Sequence, residues 1–260
     1  MRILFVGDVV GRPGRRAVDL TLPRLRRDLG IDVVVANAEN AAGGHGATPD
    51  VVAELAAAGV DAFTMGNHTW RKNVIFGMLE NMPNLVRPAN YPEGTPGRGA
   101  AVVTLKDGRK LGLLNLMGRV YMEPIECPFA HATRALEALR RETPVVLVDM
   151  HAEATSEKVA MGWHLDGQCS VVVGTHTHVQ TADEWLLPEG TAYITDVGMC
   201  GPSHSVIGTD IEPVLKRFRT SLPQSFNVAK GPMQFCAVLV DVDDETGKAL
   251  RIERVFERMS

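Results

Sequence analysis

Val60-Asp61-Ala62-Phe63-Thr64-Met65-Gly66-Asn67-His68 is a short apolar run that stops at a glycine and two side chains able to bind metal. Its length and its strand formers predict a buried strand, and Gly66 predicts a sharp backbone turn where the strand leaves its sheet. Asn67 and His68 then project from the sheet edge. A capping Asn and a surface His would be the plain reading of that tripeptide alone. Four other apolar runs also end in Asp, Glu, Asn or His, and packing a core does not require such repetition.

Working outward, Ile3 to Val6 form an apolar strand closed by Gly7-Asp8, and Pro13 marks the start of a helix over Gly14 to Leu29. Val18, Leu22, Leu25 and Leu29 share one face of that helix. Arg15, Arg16, Arg24, Arg26 and Arg27 fall mostly on the others and read as a solvated face, with a phosphate-binding patch as the second reading. Asp32 to Asn37 form the next strand, which runs into Glu39-Asn40 and the glycine-rich loop around His45. No G-K-[ST] follows, so this is not a Walker loop. A helix from Thr48 to Ala58 leads back to the central strand. The β-α-β-α-β order implies parallel strands with right-handed crossovers, whose C-terminal ends share one edge. Ligand sites of open α/β sheets gather there.

Downstream, a helix over Val74 to Glu80 and an irregular segment, Val86 to Gly99, precede a hairpin turning at Asp107-Gly108. Phe129 to Arg141 and Ser156 to His164 read as helices. Pro144 to His151, Ser170 to Thr175 and Thr191 to Asp196 read as strands, Gly198 to Gly208 as a loop, and Gln234 to Asp241 with Leu250 to Phe256 as a closing hairpin. Early crossovers and late hairpins predict two facing sheets with helices outside, in a single domain spanning 1–260.

With 45% hydrophobic and 22% charged residues the chain is globular in composition, and its net charge of −4 excludes a large nucleic-acid surface. Four dispersed cysteines form no C-x-x-C pair, and no apolar stretch suits a signal peptide or membrane span. Free thiols and a cytoplasmic location are expected.

His176 and His178 are two apart, so in extended backbone both would face one site. With Asp8, Glu39, Asn40, Asn67 and His151 they make seven oxygen and nitrogen donors on one edge, more than one ion uses comfortably. Two divalent ions would be offset only by Asp8 and Glu39, leaving about two positive charges to bind a phosphate and lower the pKa of a bridging water. Donors without thiolate suit Fe, Mn or Zn better than Ca. Arg119, after Gly118 at a strand end, is a candidate phosphate contact or structural ion pair, and His45 a substrate contact or a mobile surface residue.

The set Gly7-Asp8, Gly66-Asn67-His68, His151 and Gly174-Thr175-His176-Thr177-His178 resembles the calcineurin-like metallophosphoesterase superfamily. Asn37 to Asn40, Asn115 to Arg119, His151 to Lys158 and Asp196 to Met199 resemble its YmdB-type bacterial branch more narrowly. The resemblance implies an α/β fold, a four-layer αββα sandwich of two mixed sheets. It implies a dinuclear phosphodiesterase that hydrolyses cyclic nucleotides, 2′,3′-cyclic ones preferred and 3′,5′-cyclic AMP a further candidate, by attack of a metal-bridging hydroxide. Asp8, Glu39, Asn40 and His178 would hold one ion, and Glu39, Asn67, His151 and His176 the other. His68 would be the general acid. Many superfamily members follow Asn-His with a carboxylate where this chain has Thr69, so phosphate, solvent or backbone contacts are expected to hold the His68 proton. The partners expected are a cyclic nucleotide or another phosphodiester and, in a homo-oligomer, copies of the chain, with no membrane. A nucleotide-sensing regulator using the same site, and a metal-dependent amide or ester hydrolase, are the competing readings. An amidohydrolase barrel carries H-x-H on its first strand, which disfavours the latter.

Overall fold

Alternation along β1 (Arg2–Val6) sets the layering. In the computed structural model, which describes residues 1–260, Ile3 and Phe5 enter a core between two sheets, while Leu4 and Val6 enter a core beneath helices. Successive side chains point to opposite faces, so a strand apolar at every position must be covered on both sides. The chain continues through β2 (Asp8–Val9), α1 (Gly11–Leu29), β3 (Val33–Asn37), α2 (Pro49–Ala57), β4 (Ala62–Thr64), the 3₁₀ turn Thr69–Arg71, α3 (Ile75–Asn81) and β5 (Leu85–Val86). There follow β6 (Ala100–Thr104), β7 (Lys110–Met117), α4 (Pro128–Leu139), β8 (Val146–His151), α5 (Thr155–Leu165) and β9 (Val171–Thr175). The last part holds β10 (Trp185–Leu186), β11 (Ala192–Ile194), β12 (Met199–Pro202), α6 (Ile211–Thr220), β13 (Met233–Val242) and β14 (Ala249–Met259).

One sheet runs β2-β12-β13-β1-β3-β4-β5 with β14 beside β13, and the other β10-β11-β9-β8-β7-β6. β1, β3 and β4 are parallel, as are β7, β8 and β9, whereas β13 is antiparallel to β1 and β6 to β7. Ile3, Phe5, Val33 and Val35 meet Leu113, Leu147, Val171 and Val173 between the sheets. α1, α2 and α3 cover the outer face of the first sheet through Leu22, Leu55 and Ile75, and α4 and α5 that of the second through Leu136 and Met161. The result is a four-layer αββα sandwich of two mixed sheets. Register pairs Met117 with His151 and His151 with Thr175, so the second sheet's parallel strands end level.

Several expectations need correction. α1 begins at Gly11 rather than Gly14, because the αL conformation of Gly11 admits the helix immediately after β2. The expected loop Gly198 to Gly208 contains β12, two of whose residues pair with Asp8 and Val9 and two with β13. α6 escaped sequence reading because it buries only Val214, which leaves no stripe of core residues to betray its period. No helix is long and apolar enough to cross a membrane, and all four cysteines are unpaired, with Cys127 partly exposed.

Candidate metal centre

Every donor singled out from the sequence stands at the common C-terminal edge of the two sheets. Asp8 follows β1, Glu39 and Asn40 follow β3, Asn67 and His68 follow β4, His151 ends β8, and His176 and His178 follow β9. Asp8, Glu39 and His151 are wholly buried and Asn40 almost so. Glu39, His151 and His176 bring their ligand atoms within 4.8 Å of one another. On the other side, His178 Nε2 lies 3.7 Å from Asp8 Oδ1 and 3.1 Å from the Asn40 amide nitrogen.

Gly66 owes its place to space rather than to a turn. Its φ is not positive, but a Cβ there would sit 2.4 Å from Glu39 Oε2 and 2.4 Å from His151 Nε2. The H-x-H pair also works differently from its expected extended geometry. His176 and His178 lie beyond β9 with φ of 95° and 65°, left-handed values that are costly for residues with a Cβ and that accumulate at functional sites. Long-range polar contacts hold this turn. The His176 amide donates to Asp8 Oδ2 at 3.1 Å, and Thr177 donates to Asp196 from its amide (3.1 Å) and hydroxyl (2.6 Å). Asp196 in turn pairs with the buried Lys158 at 2.7 Å. Lys158 and Asp196 stand in the motifs that carry the family resemblance but were given no role from the sequence, and no local signal could have shown that they pair.

Hydrogen bonding fixes which ring nitrogens carry protons. Thr175 Oγ1 gives its own proton to Asp149 Oδ1 (2.7 Å), so it accepts from His151 Nδ1 at 2.9 Å and leaves His151 Nε2 bare. His178 Nδ1 donates to the Ile207 carbonyl (2.8 Å), and His176 Nε2 faces the Glu153 carboxylate (3.1 Å). Bare lone pairs therefore converge: His151 Nε2 is 3.1 Å from His176 Nδ1 and 2.9 Å from Asn67 Oδ1. Asp8 Oδ1 is buried with no hydrogen-bond partner at all. Such acceptors repel unless a cation lies among them. A proton on His151 would relieve the same repulsion. Burial alone would push His151 down, but Glu39, Asp8 and Asp149 outweigh it and raise its pKa to about 9. Burial and then the neighbouring His151 push His176 down to about 3. Burial works against Glu39 ionisation, yet His151 and His68 hold its carboxyl well below the usual range. Burial raises Asp8 and takes Asp149 up to about 6. The donor set fits divalent cations.

Side chains meet one ring nitrogen of His68, beside the phosphate, solvent or backbone contacts expected to hold its proton. Its Nδ1 lies 2.7 Å from Asn40 Oδ1 and 3.3 Å from Glu39 Oε1, while its amide donates to Glu39 Oε2 at 3.0 Å. Glu39 thus supplies in space the carboxylate that Thr69 lacks in sequence. Thr69 is buried and donates to the Gly66 carbonyl at 2.6 Å. Asn40 turns its amide nitrogen toward Glu39 and His178, so acting as a ligand requires the amide to turn over. The exposed His45 sets its ring edge-on against His68, with centroids 4.7 Å apart. Arg119 is exposed, two residues beyond the partner of His151 in β7. Its amide donates to Glu157 at 3.0 Å and its guanidinium forms no salt bridge.

Residues 4–255 match the model of a family described as YmdB-like protein. The chain belongs to the YmdB-like family. It is 51% identical over 256 residues to the 2′,3′-cyclic-nucleotide 2′-phosphodiesterase of Bacillus subtilis (strain 168), covering 98% of this chain and 97% of that one. Among solved structures, a hypothetical protein from Thermus thermophilus superposes with a TM-score of 0.94 at 44% identity, with both chains fully covered. A novel phosphatase from Mycoplasma pneumoniae gives 0.94 at 36% identity over all of this chain and 94% of that one. The YmdB-like fold therefore accounts for the whole chain.

Proposed function

We propose that this YmdB-like protein is a dinuclear metal-dependent phosphodiesterase that opens 2′,3′-cyclic nucleotides, with 3′,5′-cyclic AMP as a second substrate. The observation that carries the reading is the cluster of Glu39, His151 and His176 ligand atoms within 4.8 Å of one another, with the unpartnered Asp8 Oδ1 beside His178, in a chain 51% identical to a phosphodiesterase. Asp8, Glu39, Asn40 and His178 would hold one ion and Glu39, Asn67, His151 and His176 the other, with Fe or Mn first and Zn next for this mixed carboxylate, amide and imidazole set without thiolate. When bound, two ions polarise the phosphate and lower the pKa of the attacking water.

The chain's own residues do the rest. Glu39, 3.3 Å from His68 Nδ1, occupies that nitrogen, which leaves Nε2 free to protonate the departing ribose oxygen. Water adds to phosphorus and loses a proton to solvent, the P–O2′ bond breaks, and O2′ takes a proton from His68 Nε2, which solvent then restores. Arg119 and His45 contact the substrate phosphate and sugar from the rim. Four unpaired cysteines agree with a cytoplasmic location. Two open, packed sheets replace the barrel that an amidohydrolase would need.

A ribose alkoxide needs a proton to leave, and a positioned acid contributes on the order of 10²- to 10⁴-fold. The test is His68→Ala in metal-loaded enzyme. We expect both metals to remain, activity on 2′,3′-cyclic AMP to fall by about that factor, and bis-p-nitrophenyl phosphate, whose phenolate leaves unaided, to suffer distinctly less. Equal losses on both substrates would show that His68 orients the phosphate instead.

A further inference from the structure

Behind the glycine-rich loop lies a cavity of about 690 Å³ whose wall includes Arg12, Arg16, Gly43, Phe226, Lys230 and Ser260 with its main-chain carboxylate, and no Asp or Glu side chain. Its cations stand apart from the other arginines of α1. Arg15, Arg24, Arg26 and Arg27 each reach a carboxylate, whereas Arg12, Arg16 and Lys230 form no salt bridge. Local rules oppose this placement. Arg12 sits in the first turn of α1, where the helix dipole disfavours a cation, no acidic side chain offsets it, and the i,i+4 spacing sets it beside Arg16. Phe226 adds an aromatic ring with the Arg217 guanidinium 5.4 Å from its centroid. A cluster that breaks local preference without internal compensation marks a binding function.

The cavity is linked to the metal centre through the glycine-rich loop. The amides of Gly11, at the head of α1, and Gly44, beside Gly43, both donate to the Asn40 carbonyl, at 2.9 and 3.1 Å. His45, next in that loop, rests against His68. One short loop therefore lines the cationic cavity at Gly43 and, two residues on at His45, touches the candidate acid His68.

We propose that the cavity receives the upstream phosphates of an oligoribonucleotide whose 3′-terminal cyclic phosphate occupies the metal centre, so that short RNA ends are preferred to mononucleotides. The 3′-end assignment rests on the phosphodiesterase reading; the phosphate site does not. A net charge of −4 is compatible, because the positive charge is gathered locally.

The test measures fluorescence anisotropy of a fluorescein-labelled pentauridylate ending in 3′-phosphate, bound to metal-loaded enzyme at 50 and 200 mM salt. Each neutralised single-strand phosphate contributes about 0.7 to the log–log salt slope, so replacing three cations in Arg12→Gln/Arg16→Gln/Lys230→Gln should flatten it by about two. In parallel, the triple variant should raise KM for a pentanucleotide with a 2′,3′-cyclic end about tenfold more than KM for 2′,3′-cyclic UMP. Identical slopes and an unchanged KM ratio in the two proteins overturn the inference while leaving mononucleotide hydrolysis standing. Absence of turnover on both substrates overturns the phosphodiesterase reading, and the slope difference still decides whether the cavity binds phosphates.

Discussion

His151 and His178 turn their Nε2 atoms into the same centre, yet they are held by opposite means. His151 belongs to β8, is wholly buried, and is oriented through Thr175 by the buried Asp149. His178 lies three residues past β9 in left-handed backbone and is oriented by one carbonyl, that of Ile207, itself at φ 46° and 52% exposed. One side of the centre is built into sheet register. The other is pinned onto it by contacts between residues distant in the chain, chiefly Lys158 and Asp196 acting on Thr177. The two sides should therefore fail separately and for different reasons.

Glu39 is common to both sides, lying 3.3 Å from His151 Nε2 and 3.1 Å from the Asn40 amide. Glu39→Gln should lower metal content at both sites and, with several kcal/mol of charge stabilisation lost, reduce kcat/KM by on the order of 10³. Elemental analysis of the purified variant checks it, and an unchanged stoichiometry removes the bridging role.

Lys158→Met attacks the pinned side alone. It strands the Asp196 carboxylate in a buried site, which should cost about 3–5 kcal/mol in denaturant unfolding and release the ion on the His178 side first. Wild-type stability would mean that the pair does not brace the turn.

Thr175→Val attacks the side built into the sheet. His151 Nδ1 and Asp149 lose their shared partner, and partners of this kind carry about 10- to 100-fold in metal affinity. Competition with a chelator should find that loss confined to one ion; equal weakening of both would break the distinction between the sides.

Glu153→Gln should do least. Its carboxylate, half exposed, faces His176 Nε2 at 3.1 Å, and an amide oxygen keeps an acceptor there. The same competition should show a loss below about tenfold, the lower bound for such partners. A loss as large as that of Thr175→Val would place His176 on the rigid side.

Much of this centre was legible in the sequence because strand ends are local events. An apolar run of about five residues stopping at Gly-Asp, Asn-Ala-Glu or Gly-Asn-His names both the strand and the donor it presents. The strand order placed Asp8, Glu39 and Asn67 on one edge before any coordinates, since parallel crossovers permit little else. α6 and β12 were not legible, because one buries a single side chain and the other is defined only by the strands it joins.

What the sequence determined by itself, then, is the kind of donor at each strand end and the side of the sheet on which it stands. These follow from residue chemistry and a period of two or 3.6, properties read within a few neighbouring positions. The tertiary structure alone decided that Gly66 is needed for room between Glu39 and His151, that His176 and His178 reach the centre through strained backbone, and that Glu39 stands in for the carboxylate missing at Thr69. Each depends on residues brought together from distant parts of the chain. Their separation in space is set by how two sheets pack, and no local pattern encodes that distance.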